Sequence, residues 1–177
     1  MLIDTHAHLD SRKFDDDRAA VIERAFASGV ERIVNIGFNR ETIPTTLELA
    51  ESDDRIFAAV GWHPQDAIDM RPEDLDWIEE LCRHPKVVAI GEIGLDYYRD
   101  RSPKERQWAA FEAQLTLAAR LEMPVIIHNR DAGEDVISIL ENWVKSLPET
   151  LRERPGVLHS FSAPAEIAER ALAAGFY

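Results

Sequence analysis

Apolar residues fall along the chain in two alternating rhythms. Short runs rich in branched aliphatic side chains predict strands near Leu2–Thr5, Arg32–Ile36, Ile56–Val60, Val87–Ile90, Val125–Ile127 and Val157–Leu158, with a seventh beginning at Phe176. Between these runs the spacing turns helical. Phe14, Val21, Ile22, Ala25 and Phe26 make one apolar stripe after the acidic start Asp15–Asp17, and Gly29 is placed to end that helix. Ser102, Pro103 and Glu105 match a capping box with proline at the first helical position, ahead of Trp108, Phe111, Leu115 and Ala118 on one face.

Strand and helix alternate roughly every thirty residues, the size of a βαβ unit, so the expected class is α/β with a parallel sheet. Two architectures satisfy that pattern, a doubly wound open sheet and a (β/α) barrel. A full eight-unit barrel takes about 250 residues, whereas the 177 residues here hold about six units. No Pro-, Gly- or Ser-rich stretch and no shift in composition divides the chain, so residues 1–177 are expected to form one domain.

Composition narrows the function classes. With 45% hydrophobic residues the chain has enough apolar material for a packed core, which sets disorder aside. Cys82 is the only cysteine, so an internal disulfide and a cysteine zinc site are both excluded. The chain opens MLIDTHAHLD, without a secretory signal, and no apolar run approaches the roughly 20 residues of a membrane span; a cytoplasmic protein with no membrane partner is expected. The net charge of −13 changes the picture most. It opposes the basic surface of non-specific nucleic-acid binders, so a polyanionic substrate would need local positive charge, such as bound divalent cations.

The histidines indicate where such ions belong. Of six, five follow predicted strands: His6 and His8 in DTHAH, His63 in GWHP, His128 in IIHNR and His159 in VLHSF. Glu92, in GEIGLD, holds the same position after the fourth strand. The C-terminal ends of parallel strands build the active site in such folds, so these six groups are expected to converge. His84 precedes the fourth strand and serves as the internal control, a structural residue at the opposite end.

Taken singly, each group has an ordinary alternative: a polar cap on a strand for His128 or His159, a salt-bridged carboxylate for Glu92. Taken together, four histidines and a carboxylate are costly to desolvate without a metal. A His-x-His pair also turns both imidazoles to one side of an extended strand. Nitrogen and oxygen donors without thiolate suit Zn²⁺, Mn²⁺, Fe²⁺, Co²⁺ or Mg²⁺. Five ligands crowd one ion, and two ions about 3.5–4 Å apart bridged by Glu92 are the better count. The chemistry implied is metal-assisted hydrolysis.

DTHAHLD, VGWHPQDA, AIGEIGLDYYRD, PVIIHNRDA and GVLHSFSAPAEIAERALAAGFY, in that order, resemble the successive motifs of the TatD-type metal-dependent deoxyribonucleases of the amidohydrolase-like barrel superfamily. The resemblance runs from residue 1 to residue 177. It implies a TIM-type (β/α) barrel, here about six of eight βα units. It also implies hydrolysis of DNA phosphodiester bonds, 3′ to 5′ on single strands or 3′ ends, with two divalent ions (Mg, Mn or Zn). By the same resemblance His6 and His8 hold one ion, His128 and His159 the other, and Glu92 bridges them as a catalytic group.

The family also implies that His63 contacts the substrate phosphate and takes part in catalysis; the alternative is a histidine locked in a turn by Pro64. Arg130 grips a phosphate with its two-pronged guanidinium or is one more of the chain's surface arginines. Tyr97 and Tyr98 stack on a terminal base or pack under a loop, and Asp96 orients a ligand histidine or caps a turn. Family members continue through strands seven and eight and carry an aspartate after the last strand, onto which no residue up to Tyr177 maps. A C-terminally incomplete barrel with open sheet edges is therefore expected, and Asp131 is the first alternative carboxylate to consider.

Two competing functions remain at this stage. One keeps the barrel and metals but cleaves a small C–N or ester substrate; such enzymes often use a carbamylated lysine, and none of the four lysines lies at a predicted strand end. The other is an inactive metal-binding fragment.

Overall fold

Each predicted strand pairs with its neighbours in sequence. The computed structural model describes residues 1–99 and 101–177 and contains six strands, β1 (Leu2–Ala7), β2 (Val30–Gly37), β3 (Ile56–Val60), β4 (Val87–Asp96), β5 (Val125–Arg130) and β6 (Gly156–Leu158). All five pairings are parallel and follow the order β1-β2-β3-β4-β5-β6. A doubly wound sheet reverses its strand order at a switch point. This one never reverses, so every right-handed crossover returns on the same side and the sheet curls into a half-barrel. The helices are α1 (Arg18–Ala27), α2 (Thr42–Ser52), α3 (Pro72–Leu81), α4 (Lys104–Leu121), α5 (Gly133–Lys145), α6 (Glu149–Arg152) and α7 (Ala165–Ala173).

The two faces of the sheet are packed differently. Outward residues such as Ile93, Leu95, Val125 and Ile127 join Phe111 and Leu115 of α4 and Ile137 and Leu140 of α5 in the main core. Truncating a fully buried ring such as Phe111 to alanine is expected to cost about 3–5 kcal/mol. The inward face holds a small cluster, Ile36, Ala59, Ala89 and Ile126, with Val157 packed against it. Side chains alternate along a strand, so continuing from Ala59, Ile126 and Val157 on the same parity leads to His63, His128 and His159.

Glu92 reaches that face by a different device. The sequence places it after a strand ending at Ile90, but β4 continues to Asp96. The pairing Gly91↔Ile126 is followed by Ile93↔Ile127, leaving Glu92 as one extra residue. A bulge of this kind re-aims a side chain that simple alternation would direct outward. Two residues later Gly94, at φ +146, lies so close to β5 that an added Cβ would overlap the His128 carbonyl, which only glycine tolerates.

Three local expectations are revised. Ser102 does not cap α4: its Oγ donates to the Gln65 carbonyl at 2.8 Å and accepts from the Ile68 N–H at 2.9 Å, while Pro103 occupies the cap itself. The stripe on α1 is only half-buried, through Ile22 and Phe26, because that helix lies at the sheet's edge; Gly29 ends the segment as expected, at φ +96. Phe176 does not begin a seventh strand, although Tyr177 accepts from the Leu158 N–H at 2.8 Å and donates to the Gly156 carbonyl at 3.1 Å, pairing with β6. No helix among the described residues is long and apolar enough to cross a membrane.

Candidate metal centre

The bulged carboxylate of Glu92 is 4% exposed and surrounded by imidazoles. Its two oxygens face different sets. Oε2 lies 3.4 Å from His6 Nε2 and 3.9 Å from His8 Nε2. Oε1 lies 2.6 Å from both His128 Nδ1 and His159 Nε2, and 3.7 Å from His63 Nε2. Burial opposes ionisation of this carboxyl, yet hydrogen bonds from His128, His159 and His6, with the charge of His63, outweigh it and hold the group well below the usual carboxylate range.

The neighbours of each ring set its chemistry. His8 Nδ1 lies 3.3 Å from the Ile36 carbonyl, which can only accept, so Nε2 is the bare nitrogen and faces His6 and Glu92. Burial, then the charge of His6, push the His8 pKa down. His6 stacks on His159 with centroids 3.8 Å apart, and its Nδ1 is buried with no hydrogen-bond partner. His63 is the reverse of His8: its Nδ1 accepts the Gln65 N–H at 3.0 Å, which leaves the proton of the neutral ring on Nε2, directed at the cluster. Burial pushes the His63 pKa down to about 4 against the opposing charge of Glu92.

These atoms suit a cation. His6, His8 and Glu92 bring three ligand atoms within 4.8 Å of one another, and so do His63, Glu92 and His128. On the Oε2 side, the bare His8 nitrogen and the carboxylate oxygen, 3.9 Å apart, share one nitrogen, His6 Nε2, at 3.1 and 3.4 Å, so a neutral His6 has one proton at most for two acceptors and a cation would satisfy both. The donor set of imidazoles and one carboxylate is the one divalent transition ions prefer.

Around the cluster lies a cavity of about 350 Å³, lined also by Phe38, Gln65, Asp66, Asp96, Arg99, Arg101 and Arg130. Asp96 faces a histidine and caps a turn: Oδ2 lies 3.2 Å from His128 Nε2, and Oδ1 accepts the Tyr98 and Arg99 N–H groups at 3.0 Å. The two tyrosines separate. Tyr97 is pinned, its hydroxyl donating to Asp135 at 2.6 Å and accepting from Trp108 Nε1 at 2.8 Å. Tyr98 is exposed, with the Arg130 guanidinium 4.3 Å above its ring. Asp131 is also exposed and lines a neighbouring cavity rather than this one. Arg99, Arg101 and Gln65 were not singled out in the sequence, although the strand-end rule that selected the histidines applies equally to turns after β3 and β4.

A family profile described as TatD related DNase matches residues 3–177. The metal-dependent hydrolase YabD of Bacillus subtilis is 51% identical over 177 residues, which is 100% of this chain and 67% of that protein. The 3′-5′ ssDNA/RNA exonuclease TatD of Escherichia coli is 37% identical over 176 residues, covering 99% of this chain and 65% of its own. Among solved structures, that of YJJV, a TatD homolog from Escherichia coli, matches with a TM-score of 0.87 at 34% identity, over 99% of this chain and 66% of that one. A TatD family hydrolase from Entamoeba histolytica, 24% identical, has the same fold with a TM-score of 0.84 over 99% of this chain and 63% of that one. The chain spans about two thirds of the length of these relatives.

Proposed function

The chain belongs to the family of TatD-related DNases, and on that premise we propose that it is a metal-dependent phosphodiesterase trimming single-stranded DNA from the 3′ end. The observation that carries this reading is the division of Glu92: one oxygen faces His6 and His8, the other His128 and His159. Each half offers one divalent ion two imidazoles and a carboxylate oxygen, so Mg²⁺, Mn²⁺ or Zn²⁺ fits on either side of a shared anion. Divalent ions bound there supply the positive charge that eases ionisation of water and offsets charge building on phosphate oxygens.

The chain's own residues do the rest. His63 directs Nε2–H into the cavity, where it donates to a phosphate oxygen instead of ligating metal. Arg130 supplies a planar fork of donors for a second phosphate oxygen. Tyr98, exposed beneath that guanidinium, offers a face for the terminal base. Asp96 fixes the orientation of His128 through its other ring nitrogen.

The name of the Escherichia coli relative, a 3′-5′ ssDNA/RNA exonuclease, supports a single-stranded substrate. Against the small-molecule reading, no lysine is among the residues lining the cavity, so a carbamylated lysine has no place there among the described residues. The test is incubation with Mn²⁺ and a 5′-labelled single-stranded oligonucleotide, beside an ester and an amide of low mass. A ladder shortening from the 3′ end is expected. Turnover of the ester or amide with the oligonucleotide intact would overturn the proposal.

A further inference from the structure

The cavity lining sets three arginines, Arg99, Arg101 and Arg130, beside the carboxylates Asp66, Glu92 and Asp96, so positive charge is gathered here in spite of the chain's net charge of −13. Arg130 stands on β5 above Tyr98. Arg99 and Arg101 belong to the turn between β4 and α4, and both are exposed.

That turn is held from beneath by buried side chains. Gln65, 5% exposed, donates from Nε2 to the Arg99 carbonyl at 3.0 Å and accepts the Arg101 N–H at 3.3 Å. Gln107, 2% exposed, accepts the Asp96 N–H at 2.8 Å and donates to the Asp96 and Ser102 carbonyls at 3.0 and 2.9 Å. Buried amides are costly unless each polar atom finds a partner. Here both glutamines spend their capacity on the backbone of one short turn, fixing the two positions that carry arginine at the mouth of the metal cluster.

We infer that Arg99 and Arg101 form a second phosphate subsite and hold the phosphate next to the scissile one, with Gln65 and Gln107 as positioning residues. The inference rests on the phosphodiesterase reading and narrows its substrate to a polynucleotide with at least two phosphates, as distinct from a mononucleotide ester. Arginine suits the role because its fork of donors matches phosphate oxygens, and a fixed backbone leaves less freedom to lose on binding. Gln65 also presents its N–H to His63, so one segment serves both subsites.

The experiment uses a single-stranded oligonucleotide, natural or with a neutral methylphosphonate at the linkage adjoining the terminal one. Binding is read by fluorescence anisotropy with Mn²⁺ present, on oligonucleotides whose terminal linkage is a hydrolysis-resistant phosphorothioate, and trimming is read in Mn²⁺ with the natural terminal linkage. The neutral linkage is expected to weaken binding to the unaltered chain about tenfold, the scale of one charge-assisted contact. Arg99→Ala combined with Arg101→Ala should weaken the natural oligonucleotide by a similar factor, lower the salt dependence by about 0.7 in log–log slope, and leave the methylphosphonate oligonucleotide unchanged. Gln65→Ala should raise KM for the oligonucleotide by a larger factor than it raises KM for bis(4-nitrophenyl) phosphate, an ester of one phosphate.

Equal binding of both oligonucleotides by the unaltered chain, or an equal loss for both in the double variant, overturns the subsite while the phosphodiesterase reading stands. Failure to bind or trim either oligonucleotide overturns both.

Discussion

His63 and His84 are built alike and placed at opposite ends of the sheet. Each precedes a proline, each accepts at Nδ1 the N–H of the residue two positions on, and each turns Nε2 toward a glutamate. The Nδ1 distances are 3.0 Å for His63 and 3.2 Å for His84. The difference lies in the partners. Glu92 is buried among five imidazoles, whereas Glu51, 3.0 Å from His84, is 59% exposed. A local His-Pro turn is thus no evidence of chemistry by itself. What distinguishes His63 is the strand end it follows, where burial turns a histidine and a carboxylate into part of a charged cluster.

Identical substitutions at the two ends test this difference, and the largest effect belongs to the carboxylates. Glu92→Gln is expected to lower oligonucleotide trimming by at least about 100-fold, since the amide keeps the shape but loses the charge that would hold two cations together. Glu51→Gln should stay within about twofold, as expected of an exposed pair. Parallel assays of both variants check this, and equal losses would erase the distinction.

The next effect falls on the groups behind the cluster. Asp96→Asn removes the charge facing His128 Nε2 and is expected to weaken metal affinity about 10- to 100-fold, measured by competition with a chelating dye. His63→Ala should slow trimming about tenfold through loss of a donor to phosphate, whereas His84→Ala leaves the rate unchanged.

The smallest effect is on stability. Burial lowers the folded pKa of His63 to about 4, below the usual value of 6.5. The unfolded chain therefore binds more protons between these values, and this histidine's contribution to stability is present above pH 6.5 and lost as the pH falls toward 4. The Tm of the metal-free chain should drop as the pH falls through that range, and less steeply in His63→Gln.

The two ends also separate what a sequence can reveal. The alternation of strand and helix and the convergence of His6, His8, His63, His128 and His159 were legible because both depend on periodicity and on which end of a strand a residue follows, whereas the strand order was left open between two architectures by the pattern and implied only by the family resemblance. His84 was legible for the same reason. The bulge at Glu92 was not, since one unpaired residue is set by pairing with β5 and leaves no mark in the pattern of β4. Nor was the role of Ser102: the letters of a capping box are present, but the hydroxyl is drawn to the segment around Gln65, far away in sequence. Gln65 and Gln107 look like ordinary surface residues until tertiary packing buries them. The pinning of Tyr97 and the freedom of Tyr98 likewise depend on Asp135 and Trp108, which only the folded chain brings near.

The central claim is that Glu92 is shared by two ions, and metal stoichiometry tests it most directly. After saturation with Mn²⁺ and desalting, elemental analysis should find close to two equivalents per chain, with an electron paramagnetic resonance spectrum of a coupled pair, falling to one or fewer in Glu92→Gln. One equivalent or less in the unaltered chain, with the spectrum of an isolated ion, would contradict the account.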